Sequence, residues 1–217
     1  MFVGNRMTHP VITVHPELPI QEAHDIMRQE NIRRLVVVDN RGHLRGIVSE
    51  SDILEASPSE VTSLSIWEIN YLMSKIRVDQ VMTHDVISVD VDTPIEEAAR
   101  IMADKKIGSL PVTQEGRLVG IITETTLFRI FLEMFAAREP GIRISAMVKN
   151  VPGTLANVTR AIFESGGNII ALGTFQGDNT ELSGVMLKVN GINSSKCHDA
   201  LKGVVEKVID IRETAAG

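Results

Sequence analysis

Residues 46 to 52 read GIVSESD, and residues 120 to 126 read GIITETT. Asp52 is the only ionisable residue the two versions do not share. A carboxylate is an acceptor with two oxygens, so one aspartate takes both hydroxyls of a vicinal diol as charge-assisted hydrogen bonds, and the hydroxyl of Thr126 does not. The Ser49 hydroxyl and the N–H groups of a helix beginning there suit a phosphate. The same residues also fit a capping box, with Ser49 as the cap and Asp52 reaching back to its backbone N–H. That device stabilises the helix by about 1 kcal/mol and needs no ligand. Thr126 favours a site, because the second version starts its helix without the acid.

Other reactive residue types group less well. Arg33 and Arg34 would hold a phosphate strongly, or form a solvated helix exit. Without an acidic or thiol partner at ligand spacing, the six histidines read as surface residues and no metal site is expected. Cys197 and His198 are adjacent, so on a helix they diverge by about 100° and do not make a nucleophile and base. Phosphate loops of the Walker or Rossmann type are absent. No acid/base pair or activated nucleophile assembles from these residues, so an enzyme is not expected.

Around these residues lies a duplicated framework. MTHPVITV at 7 to 14 returns as MTHDVISV at 82 to 89, and PIQEAHDIM at 19 to 27 returns as PIEEAARIM at 94 to 102. NIRRLVVV at 31 to 38 is echoed by KIGSLPVT at 106 to 113, and GHLRGIVSE by GRLVGIITE. Each copy predicts a short strand (Val11 to Val14, Val86 to Val89) and then a helix whose apolar residues keep helical spacing: Ile20, Ala23, Met27, and Ile95, Ala98, Met102. Thr93-Pro94-Ile95-Glu96 reads as a helix start with Thr93 as the cap. A buried strand follows (Leu35 to Val38, Leu110 to Val112), then a turn carrying Gly42 or Gly116, and a strand running into the helix that Ser49 or Thr123 begins. SIWEINYLMSKI at 65 to 76 reads as a linking helix packed between the copies.

Beyond Pro140-Gly141 the pattern changes. IRISAMVKN reads as a strand, and VPGTLANVTRAIFESGG as a helix with Leu155, Val158 and Ile162 on one face. NIIALGTF, a GDN turn, ELSGVMLKV, a helix from about Ser195 to Val205 and VIDIRE complete a β-α-β-β-α-β order, which is ferredoxin-like. The fold class expected is α/β (α+β), with boundaries at 1–58, 59–77 (linker), 78–138 and 142–214.

Composition agrees with a folded soluble chain. Of the 217 residues, 43% are hydrophobic and 23% charged, and the net charge of -6 gives no general reason to bind nucleic acid or an anionic membrane. One cysteine allows no intrachain disulfide, and no apolar run approaches the roughly 20 residues of a membrane helix. The opening residues lack a secretory pattern, so the cytoplasm is expected.

The doubled MT-x-x-V-I element with GIVSESD resembles a tandem pair of CBS domains. The stretch NVPGTLA followed by GGNII resembles an ACT domain, and the whole order is similar to the acetoin-utilisation AcuB family. The resemblance implies two CBS repeats in pseudo-twofold symmetry, with clefts that hold AMP, ADP, ATP or S-adenosylmethionine as a regulatory ligand, and no catalytic cofactor. By that resemblance Asp52 would bind the ribose hydroxyls beside Ile47, Ser49 and Ser51, with Met82 and Ile87 against the adenine and Gly108 and Ser109 near the phosphates. The mirror cleft would use Ile121, Thr123, Thr125 and Thr126 with Met7, Ile12, Arg33 and Arg34. In the ACT part, Asn150, Gly153, Asn168 and Ile169 match positions that line an amino-acid site at a dimer interface. Val148 replaces a polar residue common there, and Asn150 could equally serve its own turn. A homodimer that controls a metabolic enzyme is the expected state. The rival reading is a ligand-independent assembly or partner-binding module.

Overall fold

The computed structural model describes residues 1–57, 65, 67, 68, 71, 74–177 and 180–215. The expected linking helix over 65–76 falls partly outside them, and its described aromatics Trp67 and Tyr71 are exposed. Of the expected GDN turn, only Gly177 is described. Two compact units divide the chain, Met1–Leu127 and Phe128–Gly217.

The first unit holds both repeats. One copy runs β1 (Thr13–Val14), α1 (Ile20–Gln29), β2 (Arg34–Val38), β3 (Leu44–Ser49) and α2 (Glu50–Ala56); the other runs β4 (Val89–Asp90), α3 (Ile95–Lys105), β5 (Ser109–Gln114), β6 (Arg117–Thr123) and α4 (Glu124–Met134), which from Phe128 onward belongs to the second unit. Their sheets are built alike: β1 pairs parallel with β2 and β2 antiparallel with β3, as β4 does with β5 and β5 with β6. Even the irregularity in the hairpin recurs, between Val37 and Val38 and between Val112 and Thr113. Gly42 and Gly116 both turn their hairpins at φ +78°, a conformation that costs glycine nothing.

Apolar spacing delivers the predicted faces. Ile20, Ala23 and Met27 are buried on α1, and Ile95, Ala98 and Met102 on α3. The opening strands are shorter than expected. Thr93 does not cap α3: its hydroxyl accepts the N–H of Asp90 at 3.1 Å, and Pro94 occupies the cap position with no side-chain bond. Here the side chain closes the tight turn before the helix instead of serving the helix itself.

The repeats exchange their leading segments. Val78 and Met82, at the front of the second copy in sequence, lie in the core of the first with Leu35, Val48 and Ile53. Ile20 N donates to Ile76 O at 3.0 Å and Val78 N to Leu18 O at 2.9 Å. Reciprocally, Val3 N donates to Thr93 O at 2.9 Å and Gly4 N to Val91 O at 2.8 Å. Each copy therefore needs the other's leader to satisfy buried backbone groups.

The second unit follows β7 (Gly141–Lys149), α5 (Thr154–Glu164), β8 (Asn168–Gln176), β9 (Leu182–Asn190), α6 (Ser194–Leu201) and β10 (Lys207–Thr214). Its sheet is antiparallel throughout, in the order β10-β7-β9-β8. Ile144, Ala146, Val185 and Leu187 face Val158, Ile162, Cys197 and Leu201 of the two helices in one core. Leu155 departs from the expected apolar face and is exposed, one turn before Val158. Helix α6 ends at Leu201, earlier than the expected Val205, and starts where Asn193 accepts the N–H of Lys196.

Candidate functional site

Strand β3 delivers the aspartate. Alternation buries Gly46 and Val48 and leaves Ile47 and Ser49 partly open, and the strand then turns directly into α2. Asp52 Oδ2 accepts both the backbone N–H and the hydroxyl of Ser49, each at 2.7 Å, while Ser49 Oγ accepts the N–H of Asp52 at 3.2 Å. This is the capping box, formed with one carboxylate oxygen. No described residue takes Oδ1. The aspartate thus fastens its helix and still presents an acceptor.

At the equivalent junction, Thr123 Oγ1 accepts the N–H of Thr126 at 3.3 Å, and the two hydroxyls lie 3.2 Å apart. The helix start is capped by hydroxyls alone, and position 126 offers no charged acceptor.

Ile47 exchanges both backbone hydrogen bonds with Thr83, at 2.9 and 3.1 Å, which lays residues 82 onward beside β3. Met82 then covers Gly46, where a Cβ would collide with its sulfur. The mirror pairing joins Thr8 to Ile121 and sets Met7 over Gly120. Ile47, Ser49 and Asp52 thereby stand at the open face of one β-strand–helix junction and Ile121, Thr123 and Thr126 at the other, while Met82 and Met7 pack over the glycines on the buried side of the same strands. Ser51 is exposed and Ile87 is 38% exposed.

Arg34 lies opposite Ser49 in the β2–β3 register, and its side chain reaches Gly108: a Cβ on Gly108 would stand 2.5 Å from Nη2 of Arg34 and 2.8 Å from Glu124 Oε2. Residues expected in opposite clefts meet at this point, and glycine is what permits the approach. Glu124 belongs to this cluster although the sequence reading gave it no role; its signal was the glutamate shared by GIVSESD and GIITETT. Ser109 is buried opposite Thr123. Arg33 is exposed and its carbonyl accepts the N–H of Glu50 at 2.9 Å.

The amino-acid-site candidates in the second unit are divided between opposite ends of its sheet: Asn150 and Gly153 follow the end of β7, which pairs with the start of β9, whereas Asn168 and Ile169 open β8 beside the end of β9. Asn150 donates its side-chain amide to Thr180 O at 3.2 Å and its backbone N–H to Glu181 O at 2.8 Å, so it ties the β7 end to the residues before β9. Gly153 stands at φ +88° before α5, and Asn168 opens β8 exposed, with Ile169 half-buried beside it. Val148 is buried in the core. Cys197 is also buried, which pushes its thiol up from the ordinary range, while His198 is exposed. No group of three or more histidine, cysteine or carboxylate residues placed to hold a metal occurs among the described residues.

Residues 3–59 and 78–133 match the CBS domain, and residues 140–212 match the TTHA0829-like ACT domain. The chain belongs to the CBS-domain family. It carries a tandem CBS pair followed by an ACT domain. Its first unit is similar to the CBS domain pair of protein MJ0100 in complex with 5-methylthioadenosine and S-adenosyl-L-methionine, at 30% identity and TM-score 0.51 over 60% of this chain and 95% of that one. It is similar to CBSX2 in complex with AMP, at 29% identity and TM-score 0.53 over 61% and 97%. An acetoin utilization protein (AcuB) from Vibrio cholerae matches at 32% identity and TM-score 0.52, over 64% and 98%. Among curated relatives, an L-aspartate semialdehyde sulfurtransferase of Methanocaldococcus jannaschii is 31% identical over 130 residues, 59% of this chain and 23% of that protein. The chain spans between 23% and 31% of the length of the first three such relatives. No described helix is long and apolar enough to cross a membrane.

Proposed function

We propose that the CBS pair binds an adenosine-containing ligand, AMP, ADP, ATP or S-adenosylmethionine, in the cleft that Asp52 faces, and that the protein acts as a non-catalytic regulator. The observation that carries this reading is the divided use of the carboxylate: Oδ2 closes the capping box and Oδ1 remains for a ribose hydroxyl. Support comes from the relatives crystallised with AMP and with S-adenosylmethionine. Ile47, on the open face of β3, is the apolar residue suited to an adenine, with Met82 behind the strand on its buried face and Ile87 exposed in the segment that follows. Ser49 and Ser51 with Arg34, Gly108 and Ser109 stand toward the phosphates or the sulfonium side chain, with Arg33 and Thr123 at the mirror cleft.

Ligand seated between the repeats biases their packing to the degree that it binds two arrangements unequally. The ACT domain dimerises the chain in the cytoplasm or senses an amino acid at Asn150, Gly153, Asn168 and Ile169. The regulated partner is a metabolic enzyme, and the similarity to AcuB supports acetoin metabolism as its setting. Isothermal titration with AMP and with S-adenosylmethionine tests the cleft. Saturable binding that weakens by about 1.5–3 kcal/mol in Asp52→Thr is expected. That variant keeps a cap the molecule already uses at Thr126, so unchanged affinity would remove the role of the carboxylate rather than reflect a broken helix.

A further inference from the structure

The ACT sheet has two faces, and its helices cover one. On the other a cavity of about 520 Å³ opens beside the turn that follows α4, within the size range of small-molecule sites. Phe131, Phe135, Phe175 and Met186 form its apolar walls, and Arg143 and Lys188 bring its cations. Glycines lower the floor: Phe135 rests on Gly173 and Phe175 on Gly184, in each case where a Cβ would collide with the ring.

Lys188 is 4% exposed. Its ammonium donates to Ala136 O at 2.7 Å, beyond the C-terminal end of α4, which uses one of three donors. No carboxylate pairs with it among the described residues. Asp210, within reach of Arg143, is already engaged: Oδ2 accepts from Arg143 at 3.1 Å and from Arg212 at 2.7 Å, and Oδ1 accepts from Arg212 at 2.8 Å. A buried cation lacking a counter-charge is costly, and a carbonyl at a helix end compensates only in part.

We propose that this cavity binds a small apolar monocarboxylate, its carboxylate on Lys188 and Arg143 and its hydrocarbon or aryl body against the phenylalanines and Met186. An amino acid fits less well, because none of the described residues lining the cavity is a carboxylate that could take its ammonium. A multiply charged phosphate has too few free cations and too much apolar wall. The site lies apart from Asn150 and Gly153 and does not depend on the adenosyl reading.

The test uses the full chain labelled with 13C in its methionine methyls, with Met186→Leu to assign the reporter. Octanoate is expected to shift the Met186 methyl saturably and to bind at least about tenfold more tightly than 1-octanol, which has the same body without the charge. Lys188→Gln is expected to weaken octanoate by about tenfold and leave octanol unchanged, with Lys188→Arg restoring most of the loss. If Lys188→Gln does not fold, the comparison of the two probes on the unaltered chain decides. Equal affinities, no saturable shift at millimolar octanoate, or a Met186 shift that tracks protein concentration without ligand, as a second copy on this face would give, overturns the proposal.

Discussion

The two CBS repeats share strand order, hairpin irregularity and helix faces, yet they begin their last helices differently. In the first, a carboxylate bonds the Ser49 backbone with one oxygen and leaves the other without a partner among the described residues; in the second, two threonine hydroxyls do the capping and position 126 carries no charge. The comparison separates two roles that a single aspartate combines. Because the second repeat caps without an acid, the carboxylate of the first is not required for folding, and its spare oxygen asks for a different explanation.

Exchanging the two residues tests this most severely. Asp52→Thr is expected to reduce adenosyl-ligand affinity by about 1.5–3 kcal/mol, and Thr126→Asp to add a second, weaker site, read as a rise in calorimetric stoichiometry. A Thr126→Asp chain that still binds one ligand would mean that Arg34, Gly108 and Glu124 set the difference between the clefts instead.

The glycines beneath the methionines come next. A Cβ at Gly46 would collide with the Met82 sulfur and lie 3.0 Å from the backbone oxygen of Thr83, and at Gly120 the three nearest atoms all belong to the Met7 side chain, whose sulfur stands closer still. Gly46→Ala and Gly120→Ala are therefore each expected to cost about 1–3 kcal/mol in chemical denaturation, because in both repeats the methionine must move aside while the segment that carries it stays hydrogen-bonded to the strand.

The hairpin turns give the smallest difference. Asp39 accepts the N–H groups of His43 and Arg41, each at 2.9 Å, and the Arg45 guanidinium at 2.8 Å, and these hold its carboxyl far below the usual aspartate range. The equivalent turn of the second repeat has Gln114 and is one residue shorter. A depressed folded-state pKa contributes stability that is present above the unfolded value and is lost as pH falls through the folded one. Asp39→Asn should thus lower the melting temperature slightly at neutral pH, with the gap closing as the solution falls below the ordinary aspartate range. Gln114→Ala should show no such pH dependence.

Much of the fold was legible because it is periodic. Ile20, Ala23 and Met27 repeat as Ile95, Ala98 and Met102, and both triplets are buried. Thr93 shows the limit: its spacing fitted a cap, but a hydroxyl has two neighbouring amides to choose between, and the turn won. Leu155 shows another, since spacing marks a stripe but not how far the covering sheet extends.

The sequence by itself determined the duplication, the element order, the ferredoxin-like plan and the loss of one carboxylate between copies, because each is a local pattern or a comparison of the chain with itself. Tertiary structure alone decided that the leaders change places, that Arg34 reaches Gly108 beside Glu124, and that Lys188 is buried with no counter-charge among the described residues. Those are contacts between residues far apart along the chain, and their distances depend on how whole elements pack rather than on any spacing that can be read in one segment.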